Sequence, residues 1–138
     1  MEEHWKSLLP TMTDMKLWAD QWQNHGACMA TGIGGIVKNP EYYCSATLAM
    51  FFLYQGDNLA NLMASSQEKV TPGKPYKAET LTDSLKRITG SGIGIQCSDG
   101  KDGDQYLTEV HIYVDSEGKG GSKDQPIRSN CKPNMIFF

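Results

Sequence analysis

The sequence lacks the features of a membrane protein, a secreted precursor and a metalloprotein. No apolar run approaches the roughly 20 residues that a transmembrane helix needs. Residues 1–6 have neither the basic stretch nor the apolar core of a signal peptide. The four cysteines include no CxxC pair and the three histidines are scattered, so the close ligand spacing of a zinc site is missing. We therefore expect no membrane segment, no bound metal and no cofactor.

Basic residues are too few for the broad positive surface that captures nucleic acid. Thirteen Lys and Arg stand against 16 Asp and Glu, a formal net charge of −3. This balance argues against wide electrostatic capture of a polyphosphate, although a local basic cleft is compatible with it. Lys69, Lys74 and Lys77 are interpreted as a solvated face, because no aromatic residues are interleaved with them. Residues 32–35 (G-I-G-G) are interpreted as a turn, since a phosphate loop needs a following Lys-Ser/Thr and helix.

The 138 residues have about the length of one domain, and no linker or repeat divides them. Helical patterns come first and strand patterns later, which is typical of an α+β domain. We expect residues 1–138 to form one such domain, with helices packed on an antiparallel sheet. The predicted helices cover residues 14–26, 41–64 with a break at Gly56-Asp57, and 79–89; the predicted strands cover 93–97, 106–115 and 135–138.

The first predicted helix, with Asp14 as its N-cap and Gly26 as its stop, carries the most functional residue types. Four side chains spaced i, i+3, i+4 and i+7 share one face of it: Trp18, Gln21, Trp22 and His25. One interpretation is structural, a packed aromatic face with the imidazole bonded to a carbonyl. The other histidines offer less: His4 is predicted to be exposed, and His111 is predicted to be a sheet histidine.

Residues 17–28 (L-W-A-D-Q-W-Q-N-H-G-A-C) resemble the second active-site segment of the ribonuclease T2 family, F-W-x-H-E-W-x-K-H-G-T-C. Further landmarks of the family follow in order over nearly the whole chain: Tyr43 with Thr47-Leu48, Asn58-Leu59, Thr89-Gly90, Ile95-Gln96-Cys97, Glu109-Val110, Val114-Asp115 and Asn130-Cys131. The plant S-like branch is especially similar. The resemblance implies a ribonuclease T2-like fold that lacks its N-terminal strands here, so that residues 1–138 form a truncated domain.

The resemblance also implies a function. Family members are secreted or vacuolar endoribonucleases that need no metal and cleave RNA through a 2′,3′-cyclic phosphate. The reaction calls for a base on the 2′-OH, an acid on the leaving 5′-oxygen and positive charge near the phosphorane. An extracellular or vacuolar location is therefore expected from the family, although the first residues provide no signal peptide.

The departures from the family pattern point away from catalysis. His25 occupies the general-acid position, whereas Asp20 replaces a phosphate-contacting His, Gln21 replaces a Glu and Asn24 replaces a Lys. The family's first segment, H-G-L-W-P, which supplies the general base, does not occur in the sequence. We predict a catalytically inactive member with a storage or defence-type role or weak RNA binding. The alternative is an active endoribonuclease with His25 as general acid and an unrecognised second group.

The four cysteines allow three complete pairings when the residues alone are considered. The resemblance implies a disulfide between Cys97 and Cys131. Cys28 matches a family cysteine whose usual partner lies in the family's N-terminal part, and Cys44 has no family counterpart. A Cys28–Cys44 disulfide is an alternative if the glycine-rich loop folds back.

Overall fold

A computed structural model of the chain describes residues 3–31, 37–115, 121, 129–133 and 136–137. The chain divides into two compact units, residues 1–57 and residues 58–138, which are considered in turn. The organisation of residues 1–138 as one domain stays a prediction. Within the described ranges, every helix is too short or too polar to cross a bilayer.

The first helix, α1 (Asp14–Gln21), begins one residue earlier than the sequence pattern indicates. Thr13 is the N-cap, and its hydroxyl accepts the N–H of Lys16 at 3.3 Å. Asp14, the predicted cap, is instead the first helical residue, and its carboxylate accepts the N–H of Ser7 at 2.8 Å. A negative side chain in the first turn also complements the positive end of the helix dipole.

The helix does not stop at Gly26. After α1 the chain makes one π-helical turn (Trp22–Gly26) and continues as α2 (Ala27–Thr31). The predicted stop at Gly26 is therefore wrong, because the helical run continues to Thr31. Gly26 is buried within the helical run. The predicted turn over residues 32–35 lies outside the described residues.

The second long helix of this unit, α3 (Pro40–Leu53), begins where sequence signals place a helix start. Asn39 is the N-cap and accepts the N–H of Tyr42 at 2.8 Å, and Pro40 occupies the first turn, where its missing N–H costs nothing. The sequence pattern predicts one stripe of Tyr43, Thr47, Leu48, Phe51 and Phe52 on this helix, but Phe51 and Phe52 are 36% and 44% exposed. Since α3 is apolar on all sides, hydrophobic periodicity does not select its packed face.

The described residues of the second unit form two helices and a four-stranded sheet. The helices are α4 (Leu59–Ser65) and α5 (Ala78–Thr89), and the strands are β1 (Pro75–Tyr76), β2 (Ile93–Asp99), β3 (Gln105–Ile112) and β4 (Ile136–Phe137). The sheet order is β1-β4-β3-β2. The predicted α+β class is confirmed. The sheet is mixed rather than wholly antiparallel, because β3 and β4 run parallel.

Helix α5 provides one wall of the core of this unit. Leu81 and Leu85 are fully buried, as their spacing predicts, and Gly90 ends the helix with a left-handed φ of 69°. In this core the two leucines pack with residues of α4 and of the sheet. Its other fully buried apolar members are Met63, Val70, Ile93, Ile95 and Ile136.

A β-bulge in β3 changes which of its side chains face the core. Gln96 pairs with Glu109 whereas Cys97 pairs with Leu107, so Thr108 is an extra residue on β3. The sequence pattern predicts Tyr106, Thr108, Val110, Ile112 and Val114 on one face, whereas Val114 follows the strand and is 41% exposed. Before the bulge, Gln105 and Leu107 are inward and Tyr106 is exposed; after it, Val110 and Ile112 are inward as predicted.

The Cys97–Cys131 disulfide implied by the family resemblance is confirmed, with the two Cα atoms 5.1 Å apart. Asn130 strengthens the same junction. Its side-chain amide accepts the N–H of Cys97 at 2.8 Å and donates to the carbonyl of Cys97 at 3.1 Å. Ser129 forms a parallel bridge with Ile95. The segment 129–131 therefore covers part of the outer edge of β2.

A polar network continues this attachment at the far end of the hairpin. The Gln105 side chain accepts the N–H of Lys132 at 2.7 Å and donates to Asp99 at 3.1 Å. The hydrogen bond from Lys132 lowers the pKa of Asp99 most, and the hydrogen bond from Gln105 lowers it further. A carboxyl group whose pKa is lower in the folded than in the unfolded state stabilises the fold at pH values above its ordinary pKa. This contribution is lost as the pH falls through the lowered pKa.

Removal of the disulfide should destabilise the second unit substantially. It closes a loop of 34 residues, and the chain-entropy model gives about 3–4 kcal/mol for such a loop. We expect the Cys97→Ser/Cys131→Ser variant to lose about that free energy of unfolding in urea titrations. Cys28→Ser is the matched control, because Ser keeps the hydrogen-bond donor of an exposed Cys, and it should change the stability by less than about 0.5 kcal/mol. Equal stability of the two variants would contradict the prediction.

Candidate functional site

The candidate catalytic segment lies where α1 passes into the π turn. Asp20 and Gln21 end α1 and are half-buried, whereas Asn24 and His25 lie in the π turn and are exposed. The N–H of Ala27 donates to the carbonyl of Trp22, five residues earlier, instead of to the carbonyl four residues earlier. A π turn holds more residues than an α turn, and such turns are frequent at functional sites.

Because the π turn holds more residues than an α turn, the His25 side chain points in a different direction from the one that a regular α-helix would give it. An α-helix would place His25 on the face of Trp18 and Trp22, and that prediction is wrong. Trp18 is buried, whereas His25 is exposed and the neighbouring Gly26 takes the buried place. The structural interpretation of His25 as a packed imidazole bonded to a carbonyl is wrong for the same reason.

Gly26 is buried because two aromatic rings contact its backbone. A Cβ at this position would overlap the Trp22 ring and would lie 2.9 Å from Cγ of Tyr43. The Trp22 and Tyr43 rings themselves meet edge to face, with centroids 5.9 Å apart. The sequence pattern predicts only a helix stop at Gly26. A glycine directly after a candidate catalytic histidine is the signal that could have indicated this close packing.

The N-terminal segment completes the aromatic cluster. The Trp18 indole N–H donates to the carbonyl of Trp5 at 2.9 Å, and the Trp5 ring lies 6.5 Å from that of Tyr43. Offset and edge contacts of this kind each add about 0.5–1.5 kcal/mol beyond simple burial. The cluster therefore anchors the inner side of the helical run, opposite the exposed His25.

No charged partner accompanies the His25 imidazole in the described part of the chain. Among those residues, no hydrogen bond or ion pair joins the side chains of Asp20, Gln21, Asn24 or His25 to another group. Residues 1–57 contain three lysines, Lys6, Lys16 and Lys38, against six carboxylates, which accounts for the chain's entire net charge of −3. The segment thus lies in the acidic part of the molecule.

Neighbouring groups that could act as bases or nucleophiles are held in their neutral forms. Burial raises the pKa of the Tyr43 phenol, and burial likewise raises the pKa of the Cys44 thiol.

The Cys28–Cys44 disulfide is not formed. Cys44 is a buried thiol, and Cys28 is an exposed thiol that donates to the carbonyl of His25 at 3.1 Å.

The other candidate residues lie apart from this segment. His4 is exposed as predicted, with its ring edge to face against Phe52. His111 lies in β3 and is a sheet histidine, as predicted. Lys69, Lys74 and Lys77 are all exposed. Within the described ranges, no three His, Cys, Asp or Glu side chains converge on a point that could hold a metal ion.

Comparisons with known proteins agree with the resemblance seen in the sequence. The model of the ribonuclease T2 family matches residues 1–127. Ribonuclease 1 of Arabidopsis thaliana is 29% identical over 122 residues, which are 87% of this chain and 49% of that protein. The intracellular ribonuclease LX of Solanum lycopersicum is 28% identical over 117 residues, which are 84% of this chain and 45% of that protein. The chain thus spans about half the length of these relatives.

Solved structures share the fold. RNase NT, in a crystal structure with 5′-AMP, superposes with a TM-score of 0.73 over 99% of this chain and 64% of that chain, at 23% sequence identity. Human RNase T2 gives a TM-score of 0.70 at 18% identity, over the whole of this chain and 68% of that chain. At these identities the likeness concerns the fold alone.

A methyl group at position 26 should disrupt the aromatic cluster. Because a new Cβ would overlap the Trp22 ring and lie 2.9 Å from Cγ of Tyr43, we expect Gly26→Ala to cost about 1–3 kcal/mol of stability. The free energy of unfolding and the near-ultraviolet circular dichroism of the tryptophans measure the effect. Asn24→Ala, at an exposed position in the same turn, is the control and should leave both nearly unchanged. A stable Gly26→Ala variant with an unchanged spectrum would contradict the proposed packing.

Proposed function

Because the chain belongs to the ribonuclease T2 family, we propose that it is a member with little or no phosphodiester-cleaving activity, in which His25 alone remains of the catalytic groups. The proposal concerns these 138 residues, which span about half the length of the relatives. In place of turnover, we propose a storage or defence-type role or weak RNA binding.

The observation that carries this proposal is the isolation of His25. The imidazole is exposed, so it is accessible to a substrate as a general acid. Cleavage also needs a group that removes the proton of the 2′-OH. The described residues place no such group in hydrogen-bond contact with His25.

The charges beside His25 also oppose the reaction. The phosphorane carries extra negative charge, which a nearby cation stabilises. Asn24 at the family's Lys position supplies no charge, and Asp20 at the family's His position supplies a negative one. Loss of a general acid or base costs about 10²–10⁴ in rate, and loss of one charge-stabilising donor costs about 10²–10³. Although such losses are not additive, either is enough to remove ordinary turnover.

The distribution of charge also supports RNA binding that is weak at most. Affinity for a polyphosphate comes mainly from Lys and Arg that displace counterions. Residues 1–57, which contain the candidate segment, carry a surplus of carboxylates instead.

The matched relatives include both an extracellular and an intracellular ribonuclease of Solanum lycopersicum. We propose an extracellular or vacuolar site for this chain, and the family resemblance is its only support.

An RNA cleavage assay at mildly acidic pH tests the proposal. We expect the chain to release 2′,3′-cyclic phosphate ends no faster than its His25→Ala variant, because a single imidazole without base or cation does not drive the reaction. His111→Ala is the matched control, since His111 is an exposed histidine of the second unit.

Robust cleavage that is lost in His25→Ala but retained in His111→Ala would overturn the proposal. It would favour the alternative of an active endoribonuclease with His25 as general acid.

A further inference from the structure

The segment 129–133 is attached to the rest of the second unit on both sides of Cys131 by contacts other than the disulfide. Before Cys131 lie a parallel bridge and the paired hydrogen bonds of Asn130, and after it lie further hydrogen bonds. These contacts reach, in order, Ile95 from Ser129, Cys97 from Asn130, Gln105 and Asp99 from Lys132, and the N–H of Ala78 from the carbonyl of Pro133. The backbone on either side of Cys131 is therefore held in place without the covalent bond.

The Asn130 side chain binds Cys97 as a residue of a neighbouring strand would. Its amide oxygen accepts the Cys97 N–H at 2.8 Å, and its amide nitrogen donates to the Cys97 carbonyl at 3.1 Å. Opposite residues of a hydrogen-bonded β pair exchange the same two bonds. A side-chain amide can complete this pair because it both donates and accepts, whereas a carboxylate only accepts and a methyl group does neither. Since Cys131 follows Asn130 directly, the pair places the two cysteines side by side, with Cα atoms 5.1 Å apart.

We propose that Asn130 is a positioning residue for the Cys97–Cys131 disulfide. The segment 129–133 stays docked on β2 in the reduced chain, so the two thiols remain adjacent and the disulfide re-forms in place after reduction. The inference does not depend on the proposed function, because it concerns the second unit and not His25. It also requires no exposed surface, since each group that it uses contacts another group of the same unit.

The exposure of the two cysteines gives the order of their reaction with a low-molecular-weight disulfide such as glutathione disulfide. Cys97 is buried, whereas Cys131 is half-buried and therefore more accessible. The Cys131 thiolate attacks one sulfur of glutathione disulfide, and one glutathione thiolate leaves. The Cys97 thiolate then attacks the Cys131 sulfur of the mixed disulfide, and the second glutathione thiolate leaves. The two protein thiols thus lose two electrons and two protons, and one glutathione disulfide becomes two molecules of reduced glutathione.

Disulfide regeneration in the folded, reduced chain tests the proposal. After addition of glutathione disulfide, alkylation of the remaining thiols and mass spectrometry follow the closure of the mixed disulfide. We expect Asn130→Ala to slow closure about tenfold, because loss of the two hydrogen bonds lowers the docked population by about that factor. Asn130→Asp, which keeps the acceptor but not the donor, should slow closure too, and it serves where reduced Asn130→Ala is unfolded by circular dichroism. Asn61→Ala, the same change at an exposed position of α4, is the matched control and should close at the wild-type rate.

Hydrogen exchange at the residue-97 amide separates positioning from a general gain in stability. In the Cys97→Ser/Cys131→Ser variant we expect this amide to stay protected, because the Asn130 oxygen still accepts its proton. Addition of Asn130→Ala should speed its exchange about tenfold or more, while the core amides of α5 exchange as before.

Three results would each overturn the proposal. The first is a reduced wild-type chain that is unfolded. The second is closure of the mixed disulfide in the Asn130 variants at the wild-type rate. The third is rapid exchange at residue 97 in the Cys97→Ser/Cys131→Ser variant, or exchange there that Asn130→Ala leaves unchanged.

Discussion

The contact of two aromatic rings with a bare backbone at Gly26 is the constraint on which the candidate site depends. Trp22 and Tyr43 occupy the space that a side chain at this position would need. The π turn brings Gly26 into that buried place and so leaves the preceding residue, His25, exposed. The orientation of the imidazole is thus a consequence of packing on the opposite side of the helical run. Substitutions around His25 can alter its chemistry without altering this orientation.

Under the proposed function, that separation explains how a ribonuclease T2 fold persists with altered catalytic groups. The aromatic cluster and the disulfide-linked sheet stabilise each unit through contacts that do not involve Asp20, Gln21 or Asn24. At exposed or half-buried positions, replacement of one polar side chain by another costs little stability. A histidine at the general-acid position can therefore remain in place after the charges beside it have changed.

The sequence predicted those features that local residue chemistry determines. Helix α5, with its buried leucines and its stop at Gly90, follows from periodicity and a glycine that tolerates left-handed φ. The family resemblance supplied the Cys97–Cys131 pair. Three features depended on contacts between distant residues and were missed. The π turn at His25 depends on the Tyr43 ring, the change of face in β3 depends on a bulge opposite Gln96, and the parallel β3–β4 pairing depends on the path of the chain after Cys131.

We infer that His25 is an accessible imidazole and that the described residues place no cation in contact with it. Titration with 5′-AMP, followed by NMR at the His25 ring, tests this most directly. We expect the His25 ring signals to shift no more than those of His111 across the titration, because Asp20 and Asn24 supply no positive charge. A saturable shift specific to His25, with a phosphorus signal that moves in parallel, would show a working phosphate site and would contradict the account.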